Sequence, residues 1–388
     1  MNTKKQATEG KTVRGAFRRL GRILFYIWIV LSVMVSIGCL ISANGGKISP
    51  MVWAAPAIAA MTFPFWLVAN IICGLVNLRL CRPVAVLQLA ALLGSAGGIW
   101  AICPLNIFHS SPTTEELESP DTFTIMSFNT CAFDDYQNRY PNNTNRSASA
   151  IIKSGADIIC LQETVEIAAA RLSSITPAQI DSINSIYPYI AHDSYNERMV
   201  TILSKYPLRE IDLVQPQFSG AGYQGALADI NGTEILIVSV HMQSIGLSKS
   251  DRKIYRSLTD IKSDTAVSYT EAGKFFYGKL SDAFRRRTVQ AMSLCEQIKA
   301  TGSENIIISG DFNDINGCYA MRLLMEEFDM SDAFSSVYTG PMITYHADHF
   351  FFNIDHILYS DRIRCLDFRR GNLKSSDHYP IYATFTIK

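Results

Sequence analysis

The sequence predicts an α/β fold of packed β-sheets covered by helices, preceded by three transmembrane helices. Two observations predict this order. Three long stretches near the N-terminus contain no charged residue, at positions 23–46, 48–78 and 83–114. From position 121 onward, short apolar strands alternate with helical stretches. These strands are too apolar to have one wet face throughout, so helices are expected to cover the outer faces of a sheet pair.

The composition fits a membrane segment joined to a globular one. Of the 388 residues, 48% are hydrophobic and 18% are charged, whereas soluble domains average about 25% charged residues. Of the 35 basic and 35 acidic residues, 10 and 4 lie in residues 1–120, which leaves 25 and 31 for residues 121–388. This mildly acidic half argues against bulk-charge binding of long nucleic acid, which needs a basic face.

Three apolar runs are each long enough to cross a bilayer, which needs roughly 20 apolar residues. The runs are Ile23–Ala43, Met51–Leu78 and Val84–Leu105, and they contain all four tryptophans. The predicted organisation is a basic tail (1–22), three transmembrane helices (23–105), a linker (106–120) and a globular domain (121–388).

The charges beside these runs predict the orientation. Seven basic residues precede the first run, the first loop contains only Lys47, and the short second loop contains Arg79 and Arg82. The positive-inside rule places the N-terminus and the second loop in the cytoplasm. Three spans then place the globular domain on the outer side, periplasmic or extracellular.

Secondary structure in the globular half follows from the apolar periodicity. The predicted strands are 123–128, 157–161, 199–203, 234–240, 305–309, 354–359 and 381–387. The predicted helices are 146–154, 163–173, 178–186, 275–300 and 317–328. A charged insertion at 242–284 interrupts the pattern, and two interpretations stay open: an exposed helical excursion, or a lid that faces substrate or membrane.

Polar residues follow the apolar strands abruptly. A single polar residue at a strand end is usually a cap or a turn residue. Six endings rich in carboxylate, amide and imidazole groups instead predict one shared cleft. The segments are SFN (127–129), LQE (161–163), SVH (239–241), GDFN (310–313), IDH (354–356) and SDHYP (376–380).

In this order, the six segments resemble those of the endonuclease/exonuclease/phosphatase superfamily. That superfamily includes DNase I-like nucleases, abasic-site endonucleases, inositol-polyphosphate 5-phosphatases and neutral sphingomyelinases. The resemblance covers nearly all of residues 121–388 and implies a four-layer α/β sandwich, with two β-sheets face to face and helices outside. It also implies a metal-dependent phosphoric ester hydrolase. The three-span region lies outside that family's core.

The resemblance, together with the chemistry of the residue types, assigns eight site residues. The expected metal ligands are Asn129, Glu163 and Asp377, and the expected catalytic residues are His241, Asp311, Asn313, Asp355 and His378. The expected ion is Mg²⁺, with Mn²⁺ as the alternative, because Mg²⁺ takes hard oxygen ligands and few protein carboxylates.

Each catalytic residue has an expected role. Asp311 would align and deprotonate the attacking water, and Asn313 would hold phosphoryl oxygens. His378, supported by Asp355, would donate to the phosphate as an imidazolium. His241 would contact the phosphate or assist the leaving group.

Other residues depart from the family pattern or leave alternatives open. Nuclease branches commonly carry a carboxylate two residues after the first Asn, where this sequence has Cys131, and a thiol is a poor Mg²⁺ ligand. Arg287 matches an Arg-x-x-Gln pattern of the family and would contact either a phosphate or a structural carboxylate. The sequence assigns no role to three histidines, expected at the surface or in packing: His346, His349 and His356.

The leading hypothesis is a membrane-anchored, Mg²⁺-dependent phosphoesterase acting outside the cytoplasm on a lipid head group or a small phosphate ester. The alternatives are a surface-tethered DNase I-like nuclease and a non-catalytic membrane receptor or scaffold. The expected partners are the lipid bilayer and a phosphate-ester substrate: a phospholipid, a small phosphate ester or a nucleic acid. No obligate protein partner is expected.

Overall fold

A computed structural model of the chain describes residues 2–134, 144–164, 175–192, 199–215, 221–248, 250–251, 269–347 and 350–388. The chain divides into two compact units. Unit 1 contains Met1–Gly45 and Ala59–Gly98, and unit 2 contains Gly46–Ile58 and Ile99–Lys388. The sequence-based boundaries at residues 22, 105 and 120 stay a prediction.

The N-terminal region is helical and apolar. Its helices are α1 (Asn2–Ala43), α2 (Ala55–Met61), α3 (Phe63–Leu80), α4 (Arg82–Gly94) and α5 (Ala96–Ile102). Within the described residues, Phe17–Ala43 and α3 are long and apolar enough to cross a membrane. Helices α4 and α5, bent by 59° at their junction, add a third candidate if they count as one span. The 18 residues of α3 would cover about 27 Å, close to the hydrocarbon thickness of about 30 Å.

Buried polar side chains connect the helices of unit 1. The amide of Asn77 donates to Ser32 Oγ (3.1 Å) and to Gln88 Oε1 (3.2 Å). The hydroxyl of Ser36 donates to Asn70 Oδ1 (3.0 Å), and the Asn70 amide donates to the Gln88 carbonyl (3.0 Å). This pairing sets α1 antiparallel to α3 and makes α3 and α4 a helical hairpin. Such hydrogen bonds contribute about 1 kcal/mol each between helices in a bilayer.

Unit 2 contains two six-stranded mixed sheets. In spatial order, the first has β11 (Ile363–Arg370), β12 (Ile381–Ile387), β1 (Thr122–Asn129), β2 (Ile158–Thr164), β4 (Met199–Ser204) and β3 (Tyr189–His192). The second has β5 (Leu208–Ile211), β6 (Gly222–Ile230), β7 (Thr233–His241), β8 (Ile306–Asp311), β10 (Asp355–Ser360) and β9 (Met330–Asp332). Among the residues of unit 2 that the structure describes, helices α6 to α11 are α6 (Thr114–Glu118), α7 (Arg146–Lys153), α8 (Pro177–Ile186), α9 (Tyr269–Thr301), α10 (Tyr319–Glu327) and α11 (Ala333–Val337).

Three apolar clusters make unit 2 a four-layer sandwich. The central cluster joins the facing sides of both sheets, including Ile125 of β1 and Ile307 of β8. A second cluster packs α9 and α10 on the outer face of one sheet, through residues such as Leu294. A third packs α7 and α8 on the other sheet, through Ile151 and Ile183. The predicted α/β sandwich of two packed sheets flanked by helices is therefore confirmed.

The local predictions fared unevenly. Each predicted strand overlaps an observed one, but β3, β5, β6, β9 and β11 were not predicted. The predicted helix 163–173 is wrong at Glu163 and Thr164, which continue β2, and the remainder of it lies outside the described residues. Residues 269–284 of the charged insertion form the first half of α9, whereas residues 249 and 252–268 lie outside the described part.

Candidate active site

The sheet topology brings the polar strand ends to one edge of the sandwich. Strands β1 and β2 are parallel, and so are β7 and β8, so the carboxyl end of each pair lies at one edge. Strand β10 runs antiparallel to β8 and begins there, with Asp355 opposite Asp311. In the other sheet, β12 runs antiparallel to β1, which brings the segment before Ile381 to the same edge as Asn129.

Unusual backbone conformations occur at this edge. Gly310 has φ +153°, and a Cβ there would lie 2.0 Å from the Val240 carbonyl oxygen on the neighbouring strand, so only glycine fits. Glu163 and Asn313 have φ values of +49° and +50°. Left-handed non-glycine residues cost about 1–3 kcal/mol and persist where the surrounding contacts hold them. The pairing of β2 with β4 shifts register between Leu161 and Thr164, the stretch that contains Glu163.

Asn129 connects two carboxylates at the centre of the site. Its side-chain amide donates to Asp311 Oδ2 (3.0 Å) and, at 3.4 Å, to Glu163 Oε1. Its amide oxygen accepts from the Cys131 backbone N–H (3.0 Å). Asn129 therefore orients Glu163 and Asp311 in this arrangement, while its place among the metal ligands stays a prediction.

Two histidines lie close to the Asp311 carboxylate. His241 Nε2 lies 3.6 Å from Glu163 Oε1 and 3.7 Å from Asp311 Oδ2. His378 Nε2 lies 3.6 Å from Asp311 Oδ2, while its Nδ1 lies 2.8 Å from Asp355 Oδ2. Both rings are buried, as are Asp311 and Asp355. The predicted pairing of His378 with Asp355 is thus present in the geometry.

The electrostatics divide the roles of His378 and Asp311. Burial alone would lower the pKa of His378, but the Asp355 and Asp311 carboxylates raise it to about 10, so the ring is cationic at neutral pH. Burial raises the pKa of Asp311 to about 6, although His378 and His241 lower it. A carboxylate with a pKa near the working pH suits a general base.

Judged only by distance, Asp311, Asp355 and His378 are close enough to one another to hold a metal ion. Ligand atoms of Asp311, Asp355 and His378 lie within 4.8 Å of one another. A protonated imidazole has no lone pair for a metal, because both of its nitrogens are donors. The charge state of His378 therefore favours hydrogen bonding to a phosphate over coordination of a cation.

The neighbourhood of Glu163 and Asp377 fits a hard cation better. The Glu163 side chain is 34% exposed, and Asp377 is half-buried. Burial raises the pKa of the Cys131 thiol, as do the nearby carboxylates of Asp377 and Glu163. Because a neutral thiol is a weak ligand, the available donors are carboxylate oxygens, which suit Mg²⁺ with several retained waters.

Asn313 holds together the loop between β8 and α10 (residues 312–318), which we call the catalytic loop, through both its backbone and its side chain. Its backbone N–H donates to Asp311 Oδ1 (2.8 Å), and its side-chain amide donates to the Met242 carbonyl (2.9 Å). The loop after β8 is thereby attached to the residue that follows His241. The expected contact of Asn313 with phosphoryl oxygens stays a prediction.

Arg287 contacts a structural carboxylate, one of its two open interpretations. Its Nε lies 3.0 Å from Asp314 Oδ2, and its Nη1 donates to the Gln243 carbonyl (2.9 Å). Both charged side chains are buried. His356, also buried, has Nε2 at 3.0 Å from the Asp314 carbonyl oxygen, a packing role, while His349 lies outside the described residues.

Two residues that position the site were not predicted from the sequence. Asp314 directly follows the GDFN segment, and Ser376 is the first residue of SDHYP, so their position beside the motifs was the available signal. The Ser376 hydroxyl donates to the Asn129 carbonyl (2.7 Å) and accepts from the His378 N–H (3.1 Å). It thereby joins the ends of two segments that lie about 250 positions apart.

Comparison with known proteins identifies the family of the chain. The sequence model of the Endonuclease/Exonuclease/phosphatase family matches residues 126–378, more than half of the chain. The chain belongs to the endonuclease/exonuclease/phosphatase family. Enzymes of this family are metal-dependent phosphodiesterases, nucleases and phosphatases, and the chain is a phosphoric ester hydrolase of this class. No curated protein matches the chain.

Solved structures of family members are similar to the chain at low sequence identity. Truncated TDP2 from Caenorhabditis elegans is 18% identical, with 68% of this chain and 98% of that one covered and a TM-score of 0.44. The human Nocturnin catalytic domain is 13% identical, with 74% and 99% covered and a TM-score of 0.47. A family protein from Bacteroides vulgatus is 16% identical, with 69% and 99% covered and a TM-score of 0.43.

Proposed function

We propose that this chain is a membrane-anchored, Mg²⁺-dependent phosphoesterase that hydrolyses a lipid head group or a small phosphate ester outside the cytoplasm. The observation that carries the hydrolase assignment is the arrangement of Asn129, His241 and His378 around the buried Asp311 carboxylate. A receptor or scaffold would have no need for a buried charged cluster beside two residues with left-handed backbones, Glu163 and Asn313.

The proposed reaction is attack of water on phosphorus with departure of the ester oxygen. Asp311 accepts the proton of the attacking water, and its raised pKa matches that task. His378, held cationic by Asp355, donates to a phosphoryl oxygen as charge develops in the transition state. His241 lies within reach of the same region and assists the leaving oxygen.

Glu163 and Asp377 would hold the divalent ion, with Asn129 orienting Glu163. Bound Mg²⁺ would supply Lewis-acid polarisation of a phosphoryl oxygen and neutralise negative charge. This assignment rests on the partly exposed carboxylates of Glu163 and Asp377. It rests also on the cationic state of His378, because a protonated imidazole has no lone pair for the ion.

The anchor in this proposal consists of three spans with the N-terminus in the cytoplasm. Since α1 is antiparallel to α3, the start of α1 and the end of α3 lie at one end of unit 1. That end carries Arg18, Arg19 and Arg22 together with Arg79 and Arg82, as the positive-inside rule expects of the cytoplasmic side. The chain after α5 would then lie outside.

The preference for a lipid head group or small ester rests on the anchor and on the mildly acidic domain. The test uses purified full-length chain in nanodiscs with Mg²⁺, assayed on phospholipid vesicles, on a chromogenic phosphodiester and on plasmid DNA. We expect release of a phosphorylated head group or hydrolysis of the small ester, lost in Glu163→Ala and His378→Ala. Nicking of plasmid with neither of these activities would establish the nuclease instead.

A further inference from the structure

The segment that follows α1 and runs into α2 belongs to the same compact unit as the catalytic domain. We call Gly46–Ile58 the first-loop segment; it clusters with unit 2 and not with the helices it joins. Its first residue has the closest approach: a Cβ on Gly46 would lie 1.9 Å from the Gly317 carbonyl oxygen and 3.2 Å from Cys318 Cα. Only glycine permits this backbone-to-backbone contact, since real Cβ atoms do not approach that closely.

Further contacts continue along the segment. Arg285 on α9 donates from Nε to the Pro50 carbonyl (3.2 Å), and Ala54 and Ala57 are buried. Lys47 lines a surface cleft together with Glu326 and other residues of α10. A close backbone approach, a hydrogen bond and a shared cleft thus join this one segment to the catalytic domain.

These contacts fall beside the elements that hold the catalytic loop. Gly317 lies six residues after Asp311, at the end of the loop that contains Asn313. Arg285 lies two residues before Arg287, whose side chain pairs with Asp314. The first-loop segment therefore touches both the catalytic loop and the helix to which that loop is tied.

We infer that the first-loop segment is a built-in docking partner of the catalytic domain, which braces the loop after β8 from its Gly317 end. The chain then passes between the two units at three points, after Gly45, Ile58 and Gly98. The first-loop segment also has exposed apolar residues: Met51, Val52 and Trp53 are 51%, 83% and 58% exposed. An aromatic and apolar exposed side is typical of segments at a membrane interface. This inference is independent of the substrate.

The test is cross-linking in the full-length chain. Lys47→Cys and Glu326→Cys are combined, a protease site is inserted at Ser111, and a short bismaleimide is added in detergent. We expect the two fragments of the double variant to stay joined after cleavage. Each single-cysteine variant should release them, and these variants control for cross-linking through the native cysteines. Release of the fragments from the double variant would overturn the inference.

A glycine pair separates docking from general stability. Gly46→Leu in the double-cysteine background should lower the cross-linking rate about tenfold, because overpacking a close contact opposes the docked state. Gly278→Leu on α9 is the matched control, since a Cβ there meets no atom within 4 Å, and should cross-link at the parent rate. Equal rates in both variants would contradict docking through Gly46.

A milder variant guards against misfolding of Gly46→Leu. Arg285→Ala removes only the hydrogen bond to Pro50, and we expect a cross-linking rate between those of the parent and Gly46→Leu. The bracing role predicts that Arg285→Ala and Gly46→Leu also lower kcat on the chromogenic diester, in the order of their cross-linking rates. Unchanged kcat in both would overturn the bracing role, while the cross-link reports docking even if the diester is not a substrate.

Discussion

Breaking the buried ion pair between Arg287 and Asp314 should strongly lower the thermal stability of the catalytic domain. Replacing Arg287 by Met leaves the Asp314 carboxylate buried without its cation and removes the donor to the Gln243 carbonyl. Breaking a buried pair in this way costs about 3–5 kcal/mol. Each kcal/mol shifts Tm by about 2–4 °C in a domain of about 150–250 residues, so we expect Tm to fall by roughly 6–20 °C.

Asp314 also follows Asn313 in the catalytic loop, so the same substitution should lower turnover at temperatures where the domain stays folded. Burial raises the pKa of Asp314 even though Arg287 opposes the shift, so the unpaired carboxyl will tend to take up a proton. The double variant Arg287→Met/Asp314→Leu removes both charges and should recover much of the lost stability, because replacing a buried ion pair by apolar side chains is often neutral.

The assay is thermal unfolding of the full-length chain in detergent, followed by near-ultraviolet circular dichroism, with turnover measured in parallel. Arg362→Met, which breaks the exposed pair with Glu304, is the matched control and should change stability by less than about 1 kcal/mol. A Tm for Arg287→Met within about 2 °C of the parent corresponds to less than about 1 kcal/mol and would show that the buried pair does not control stability. A double variant no more stable than the single one would show the same.

Three other variants test separate parts of the site. Asp355→Asn should lower turnover about 10²–10⁴-fold and move the alkaline limb of the pH–rate profile downward, because His378 loses the carboxylate that raises its pKa to about 10; an unmoved limb would count against the pairing. The contribution of that pair to stability is full below the ordinary histidine pKa of about 6.5 and is lost as pH rises through about 10. Gly310→Ala should lower the free energy of unfolding by more than about 4 kcal/mol, because the new Cβ would clash with the Val240 carbonyl oxygen. The control Gly278→Ala should raise it by about 0.5–1 kcal/mol. Chemical denaturation measures both values, and equal stability of the two variants would contradict the predicted clash. Cys131→Asp should lower the Mg²⁺ concentration for half-maximal activity about tenfold, since added ligand charge strengthens binding of hard cations, while Cys131→Ser should not; equal Mg²⁺ dependence would place the ion away from Cys131.

The strands with continuous apolar runs could be predicted from the sequence, and those without such runs could not. Strand β8 reads as an apolar run at Ile306–Ser309 and is buried along its whole length. Strand β6 is also buried almost throughout, yet its sequence has no apolar run or alternation, because Gly222, Gln224 and Gly225 interrupt the pattern. In β6 the surroundings, including Leu213 against Gly225, decide the structure in place of local propensity.

The candidate site was predictable where chemistry and strand ends coincide, as at Asp311 and His378. The contacts that hold these residues were less accessible, because they join distant parts of the chain. Arg287 reaches Asp314 and Gly46 reaches Gly317 only after α9 and the first-loop segment have packed. A lone arginine or glycine in a sequence gives no indication of such a partner.

The most direct test of the whole account is the Mg²⁺ dependence of phosphodiester hydrolysis by the purified full-length chain, measured for the parent, Glu163→Gln and His378→Ala. We expect turnover that EDTA abolishes and Mg²⁺ restores, a higher Mg²⁺ requirement in Glu163→Gln, and a fall in turnover of about 10²-fold or more in His378→Ala at an unchanged Mg²⁺ requirement. Hydrolysis that persists in EDTA, or that both variants retain at the parent rate, would contradict the assignment of these residues to one metal-dependent site.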